Sequence, residues 1–229
     1  FKVGYRNQSV CGWRIQCALM LKVDYIVNSV FNSRTYILSE DGSDKVWLVD
    51  CGDVVLNEND GSTGSPTDEN ENCGLLLGSR VEGVLLTHTH SDHIYGLNRL
   101  LELFPDLRIV TNEYGVKALH DPRLNISAYH QEYEDFVLKT SAVVDIVREG
   151  SVIEVLGTEV RIYETPGHDP SCLCFEIGGM LFTGDAHIPG VKVFAGFPKS
   201  DKKQAEDSAT RIRKLVSDGR LKIFPGHEI

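Results

Sequence analysis

The stretch Thr-His-Thr-His-Ser-Asp-His at residues 87–93 places four potential metal ligands within six positions: His88, His90, Asp92 and His93. It follows the apolar run 84–86, which predicts a buried strand. Imidazole and carboxylate groups suit zinc, iron or manganese. Because alternate side chains of an extended chain share one side, His88 and His90 can face one ion. Asp92 and His93 follow as the chain turns into a predicted helix and can reach a second ion. The positive end of that helix's dipole would favour an anion beside them. The alternative is a polar loop.

Four further polar residues stand at the ends of apolar stretches: Asp50, His168, Asp185 and His227. A Gly or Pro lies within two positions of each, which is typical of the point where a strand gives way to a turn. Loops at strand ends often carry functional side chains. We therefore expect these residues to meet at one edge of a sheet.

This ordered set resembles the metallo-β-lactamase fold superfamily, in which Asp-x-Gly precedes His-x-His-x-Asp-His, and a His, an Asp and a His follow. The resemblance runs from about residue 30 to the end of the chain. It implies an α/β (α+β) fold. The architecture would be the four-layer αβ/βα sandwich, with two mixed β-sheets face to face and helices outside.

The resemblance also implies how seven side chains divide between two divalent ions, of which zinc is favoured and iron or manganese are alternatives. The first ion takes His88, His90 and His168, the second takes Asp92, His93 and His227, and Asp185 bridges both together with a water or hydroxide. Two such ions lie about 3.5–4 Å apart and lower the pKa of bound water to about 7.

Two carboxylates have further expected roles in catalysis. Asp92 can orient the metal-bound hydroxide or accept its proton. Asp50 is expected to orient a ligating imidazole from behind. Its alternative role is that of a turn residue at a strand end.

The local wording of two motifs is closest to the glyoxalase-II-like branch of the superfamily. These are Thr-Pro-Gly-His at 165–168 and Phe-Thr-Gly-Asp at 182–185. Some metallo-β-lactamases use a Cys where this chain has Asp185. Glyoxalase II enzymes carry a helical domain after the last ligand. The sequence ends two residues after His227, so we expect a member that lacks that domain.

The expected function is that of a dinuclear metal-dependent hydrolase, in which a metal-bridging hydroxide attacks an ester or thioester. The main alternative is a mononuclear iron oxygenase like the persulfide dioxygenases, which share both motifs. A β-lactamase, a lactonase, a phosphodiesterase or nuclease, and a non-catalytic binding module are less favoured. The sequence does not indicate the identity of the substrate.

Composition limits the partners. The 229 residues fit one domain, spanning 1–229, with residues 1–20 as an N-terminal extension and 53–73 as an acidic flexible loop. The formal net charge of −10 disfavours nucleic acid as a partner. No apolar run approaches the roughly 18 residues of a membrane span. Six cysteines without a Cys-x-x-Cys pair favour reduced thiols and a cytoplasmic location. We expect a small-molecule substrate, and the oligomeric state is open.

Substrate contacts are harder to predict than metal ligands. His187 follows Asp185 by two residues and can face the site, and Tyr95 can line it or pack in the core. Lys192, with Lys199, Lys202 and Lys203, can attract an anion or form a solvated face. His120 and His130 are expected at the surface or at caps.

Apolar periodicity predicts most of the secondary structure. Strands are expected at 21–27, 34–38, 45–49, 84–86, 108–110, 152–155, 159–163, 172–177, 180–182 and 222–224, with a hairpin turn at 178–179. Helices are expected at 93–104 and 113–120, and from about 200 to just before Gly219. Residues 121–150 are predicted as a helix followed by a strand.

Overall fold

The computed structural model describes residues 21–53, 76, 78–139 and 141–227. The predicted extension at 1–20 and nearly all of the predicted acidic loop 53–73 lie outside these residues. The strands are β1 (Lys22–Val27), β2 (Arg34–Ser39), β3 (Lys45–Val49), β4 (Arg80–Leu85), β5 (Arg108–Thr111), β6 (Val143–Ile146), β7 (Val152–Val155), β8 (Thr158–Glu164), β9 (Leu173–Ile177), β10 (Met180–Gly184) and β11 (Lys222–Pro225). The α-helices are α1 (Leu97–Leu103), α2 (Glu113–Ala118) and α3 (Lys202–Leu215).

The strands form two mixed sheets. The first has the order β1-β2-β3-β4-β5-β6, antiparallel among β1, β2 and β3 and parallel from β3 to β6. The second has the order β11-β10-β9-β8-β7, in which only β10 and β11 run parallel. The carboxyl ends of β3, β4 and β5 therefore share one edge of the first sheet.

The period-2 alternation of the strands separates two cores. On β2, Tyr36 and Leu38 pack with Phe175 and Phe182 of the second sheet, so they fill the space between the sheets. Ile37, between them, belongs to a different cluster that includes residues of α1. Because successive side chains of a strand point to opposite faces, the first sheet buries both of its faces.

The outer face of the second sheet is covered by α3. Ile212 of this helix packs with Cys174 and Leu181, and the Asp201 side chain caps the helix by accepting from the backbone N–H groups of Lys203 and Gln204. With α1 against the first sheet, the layers run helix, sheet, sheet, helix. The predicted four-layer sandwich is confirmed. In the part of the chain that is described, no helix is long and apolar enough to cross a membrane.

Two predicted helices differ from the structure. The helix expected at 93–104 begins only at Leu97, because a 3-10 turn occupies Ser91–His93. In the segment 121–150 the strand β6 is present, but the predicted helix is wrong, and a 3-10 turn at Ser127–Tyr129 stands in its place. The buried Asn125 amide donates to the carbonyls of Ala118 and Phe136 at 2.9 and 3.0 Å and so competes with helical hydrogen bonding.

Candidate metal centre

Strand ends from both sheets bring all seven predicted ligands together. The first sheet delivers His88, His90, Asp92 and His93 in the segment after β4, and the second delivers His168 between β8 and β9, Asp185 after β10 and His227 after β11. Their ligand atoms form three overlapping groups, each within 4.8 Å: His88, His90 and His168; His88, His93 and Asp185; and Asp92, His93 and His227. The first and third groups match the two predicted ligand sets, apart from the shared Asp185.

In the first group, outward contacts leave one nitrogen of each imidazole facing inward. His168 Nδ1–H donates to the Phe194 carbonyl at 2.7 Å, which leaves Nε2 as an acceptor. His90 turns Nε2 toward a carboxylate of Asp169 at 3.4 Å, which leaves Nδ1. His90 Nδ1 and His168 Nε2 then lie 2.9 Å apart. Two ring nitrogens this close share either a proton or a cation, and a cation there would accept a lone pair from each.

The third group, which consists of Asp92, His93 and His227, has the same construction. His227 Nδ1–H donates to the Phe31 carbonyl at 3.0 Å and His93 Nδ1–H donates to Asp50 at 3.0 Å. Their Nε2 atoms lie 3.2 Å apart. Asp92 Oδ2 is 3.4 Å from His93 Nε2 and 3.3 Å from His227 Nε2. The Asp92 carboxylate is therefore placed to complete this ligand set.

Asp185 lies between the first and third groups. Its Oδ2 is 3.5 Å from His168 Nε2 and 3.3 Å from His227 Nε2, so one carboxylate oxygen contacts an imidazole of each group. Gly226 makes room for this carboxylate. A Cβ at Gly226 would lie 2.3 Å from Asp185 Oδ1 and 3.0 Å from His93 Cε1.

Asp50 ties the first ligand segment to β3. Its carboxylate accepts from the Thr87 N–H and hydroxyl, both at 2.7 Å, as well as from His93. Thr87 Oγ1 also lies 3.2 Å from His88 Nδ1. Asp50 therefore supports one imidazole directly and a second one through Thr87, from a left-handed backbone with φ of 57°.

The sequence reasoning missed Asp169, a buried carboxylate that accepts from the Ser171 N–H at 2.8 Å and contacts His90. Burial acts to raise its pKa, but the His90 imidazole outweighs burial and holds the pKa below its usual value. Two signals in the sequence could have identified Asp169 as part of the site: it directly follows His168, and it carries a carboxylate.

The charges of the cluster perturb several pKa values. Burial lowers the pKa of His88 well below its usual value. Burial also acts to lower the pKa of His93, but the carboxylates of Asp92 and Asp50 prevail and raise it to about 9. In the same way, Asp185 and Asp92 raise the pKa of His227 to about 10 against the effect of burial. A cation that replaced these protons would release them to solvent.

The donor set fits a divalent metal. Five imidazoles and two carboxylates suit zinc, iron or manganese. Several buried side-chain atoms have no hydrogen-bond partner within the described part of the chain, and three of them belong to the cluster: His88 Nε2, His90 Nε2 and Asp185 Oδ1. Of these, His90 Nε2 faces Asp169. Buried polar atoms rarely lack a partner, so the other two atoms are suited to bind an ion.

The 3-10 turn corrects one electrostatic expectation. Asp92 and His93 were predicted at the N-terminus of a helix whose dipole would favour anions, but α1 begins at Leu97, after an N-cap at Gly96. The dipole effect fades within the first turn. The tight turn instead presents two adjacent side chains to one group of ligands.

The predicted substrate contacts lie in different surroundings. His187 and Lys192 line a cavity of about 590 Å³ that also includes Phe194, Lys202 and Arg213. Burial lowers the pKa of His187, and Arg213 adds to this shift. Tyr95 packs against Tyr133 and Phe136, and its hydroxyl donates to the Glu134 carbonyl at 3.2 Å.

The two remaining histidines lie in unlike places. His120 is exposed, as predicted for a surface residue. His130 is half-buried, and its ring lies 4.9 Å from that of Phe31, centroid to centroid.

Comparison with known proteins matches residues 31–227 to the metallo-β-lactamase superfamily model. A hydroxyacylglutathione hydrolase of Francisella tularensis subsp. novicida is 31% identical over 155 residues, which are 65% of this chain and 50% of that protein. An atrochrysone carboxyl ACP thioesterase of Aspergillus fumigatus is 31% identical over 65% of this chain and 38% of its own length. The chain thus spans about half the length of the first of these curated relatives and 38% of the length of the second.

Solved structures share the fold at low identity. The B3 metallo-β-lactamase BLEG-1 superposes with a TM-score of 0.69 at 18% identity, over 91% of this chain and 92% of that one. TTHA1623, solved in a di-iron-bound form, gives 0.66 at 22% identity, over 90% and 93%. The family match covers every strand except β1 and every residue of the ligand cluster, so this chain belongs to the metallo-β-lactamase superfamily.

Proposed function

We propose that the protein is a dinuclear metal-dependent hydrolase that acts on a small ester or thioester. The observation that carries the proposal is the overlap of ligand groups, in which Asp185 contacts an imidazole from each of two sets. His88, His90 and His168 would hold one ion, and Asp92, His93 and His227 the other. We propose zinc as the resident metal, because these ligands suit it.

Two bound divalent ions would supply a hydroxide at neutral pH and polarise the attacked carbonyl. The protein's own residues do the remaining work. Asp50 and the Phe194 carbonyl fix the tautomers of His93 and His168, so that Nε2 of each faces inward. Asp92, whose carboxylate is buried beside His93, is the candidate to orient the nucleophile and accept its proton.

The relatives support the substrate class. A hydroxyacylglutathione hydrolase and an acyl-carrier thioesterase both match at 31% identity. The cavity lined by Lys192, Lys202 and Arg213 would accept an anionic part of such a substrate, with His187 and Phe194 in its wall. The free, buried Cys51, Cys172 and Cys174 support the proposal of a reducing cytoplasmic location.

Metal content and hydrolysis, measured on the same preparation, test the proposal. Protein purified without chelator should contain about two zinc ions per chain, and it should hydrolyse members of a panel of thioesters, esters and lactones. Chelation should abolish turnover and zinc should restore it.

His90→Ala should lose turnover, whereas His120→Ala, which alters an exposed imidazole outside the cluster, should keep it. Turnover by metal-free protein would refute the mechanism. About one iron per chain, together with oxygen uptake on glutathione persulfide, would replace it with the oxygenase alternative.

A further inference from the structure

A row of aromatic side chains borders the cluster on the side of His227. We name Phe31, His130, Tyr133 and Tyr95 the aromatic shelf. The Phe31 ring centroid lies 4.9 Å from that of His130 and 5.7 Å from that of Tyr133, and the centroids of Tyr133 and Tyr95 lie 5.9 Å apart. Phe31 is 45% exposed, so the end of the shelf that is nearest to His227 presents an open apolar surface.

The shelf is anchored to two of the candidate ligands. The Phe31 carbonyl accepts from His227 Nδ1–H at 3.0 Å. Two residues later, the Ser33 hydroxyl donates to the Asp92 carbonyl at 2.6 Å, and Ser33 also forms an isolated β-bridge with His227. These contacts hold the β1–β2 connection against the candidate ligand cluster, so the exposed Phe31 ring belongs to a segment that is fixed beside it.

The backbone at Phe31 is held in an unfavourable conformation. Phe31 and Asn32 have φ values of 53° and 55°, in the left-handed region that residues with a side chain rarely adopt. Such conformations persist only where the surroundings enforce them, and they concentrate at functional sites. Here the enforcing contacts include the Asn28 N–H to Ser33 carbonyl bond at 2.8 Å. An exposed phenyl ring in this position is not explained by packing in the core.

The charges near the shelf restrict what it can bind. Residues 124–138 include Glu132, Glu134 and Asp135 and contain no Lys or Arg. The three carboxylates belong to exposed residues, so they disfavour an anion there. Arg123 and Lys139 stand at the two ends of this segment. Three further cationic residues, Lys192, Lys202 and Arg213, line the cavity on α3. The two sides of the centre thus differ in polarity.

We propose that the aromatic shelf binds an uncharged aromatic group of the substrate, attached next to the carbonyl that is hydrolysed. The proposal rests on the proposed function for the reaction, but it concerns the choice of substrate. Aromatic pairs prefer edge-to-face or offset contacts, and the exposed Phe31 ring can offer either geometry.

Calorimetry with two metal-chelating probes tests the shelf without any turnover. On zinc-loaded protein, phenylacetohydroxamate should bind roughly three- to tenfold more tightly than acetohydroxamate, the gain expected of one aromatic contact. Phe31→Ala should bring this ratio close to one and leave acetohydroxamate binding within about twofold, because the carbonyl that bonds His227 belongs to the backbone. Phe31→Tyr keeps a ring and should keep the ratio.

Tyr129→Ala is the matched control, because Tyr129 is 54% exposed and lies outside the shelf. Tyr133→Ala should lower the ratio independently if Phe31→Ala fails to fold. A ratio that is unchanged in Phe31→Ala and Tyr133→Ala, or tighter binding of a phenyl probe that carries an added carboxylate, overturns the proposal.

The two proposals can fail separately. If the protein prefers the phenyl probe but hydrolyses no ester or thioester, the proposed role of the aromatic shelf stands and the proposed function is refuted. Hydrolysis without a phenyl preference would do the reverse. Failure of both hydroxamates to bind zinc-loaded protein would overturn both.

Discussion

Asp50→Asn should weaken metal binding although Asp50 is not itself in any ligand group. Asp50 accepts three hydrogen bonds, two from Thr87 and one from His93 Nδ1–H. The Asn amide has the same shape as the carboxylate but only one acceptor oxygen, and this oxygen can accept from the Thr87 N–H. The amide NH₂ group then faces His93 Nδ1, which favours the tautomer with its proton on Nε2, the atom that would bind the metal.

The magnitude follows from how such supporting residues behave. Removing a carboxylate behind a ligating imidazole typically costs 10- to 100-fold in metal affinity, or about 1.4–2.7 kcal/mol. We therefore expect the dissociation constant for zinc to rise by roughly that factor. The measurement is a competition titration of metal-free protein against a chromophoric zinc chelator.

Asp53→Asn is the control for this measurement. Asp53 stands three positions later, and its carboxylate accepts from the Ser29 N–H at 3.0 Å rather than from an imidazole. Zinc affinity should be unchanged in this variant. If Asp50→Asn binds zinc within about twofold of the parent protein, Asp50 does not set the His93 tautomer, and the reasoning fails.

Three further predictions concern the same centre. Gly226→Ala should reduce bound metal and lower the melting temperature, because its Cβ would lie 2.3 Å from Asp185 Oδ1; full metal content by elemental analysis would contradict this. Asp169→Asn should weaken zinc binding by about tenfold, as judged by the same chelator competition, because it removes a carboxylate that supports an imidazole. The metal-free protein should lose stability as pH rises through about 9 and 10, the raised pKa values of His93 and His227. The reason is that the folded state keeps these protons, whereas the unfolded state has already released them near pH 6.5. Urea unfolding at pH 6.5 and pH 10 measures this change, and equal or greater stability at pH 10 would count against it.

The ligand cluster was predictable because its residues are close in sequence or stand at strand ends. His88 and His90 follow β4 in an extended segment, and their rings face the same group, as alternation predicts. The strands with alternating or continuous apolar runs were also predicted, because burial of one or both faces leaves a direct trace in the sequence. On β2, for example, Ile37 faces a different cluster from Tyr36.

The features that sequence missed depend on contacts between distant parts of the chain. The carboxylate of Asp169 meets His90 only after the sheets pack. The left-handed φ of Phe31 has no local signal, since neither Phe31 nor Asn32 is a glycine. The segment after α2 reads as helical, but a single buried amide, that of Asn125, directs its backbone elsewhere.

The two sheets divide the ligands between them, and this has a consequence for how long the protein lasts in a cell. His93 comes from one sheet and His227 from the other, so an ion would join the sheets as a cross-link does. The unfolded chain cannot hold these residues together, and bound metal would therefore count toward the free energy of unfolding. A metal present at one hundred times its dissociation constant adds about 2.7 kcal/mol. A shortage of metal would then lower the protein's abundance, through faster unfolding and proteolysis, in addition to lowering its turnover.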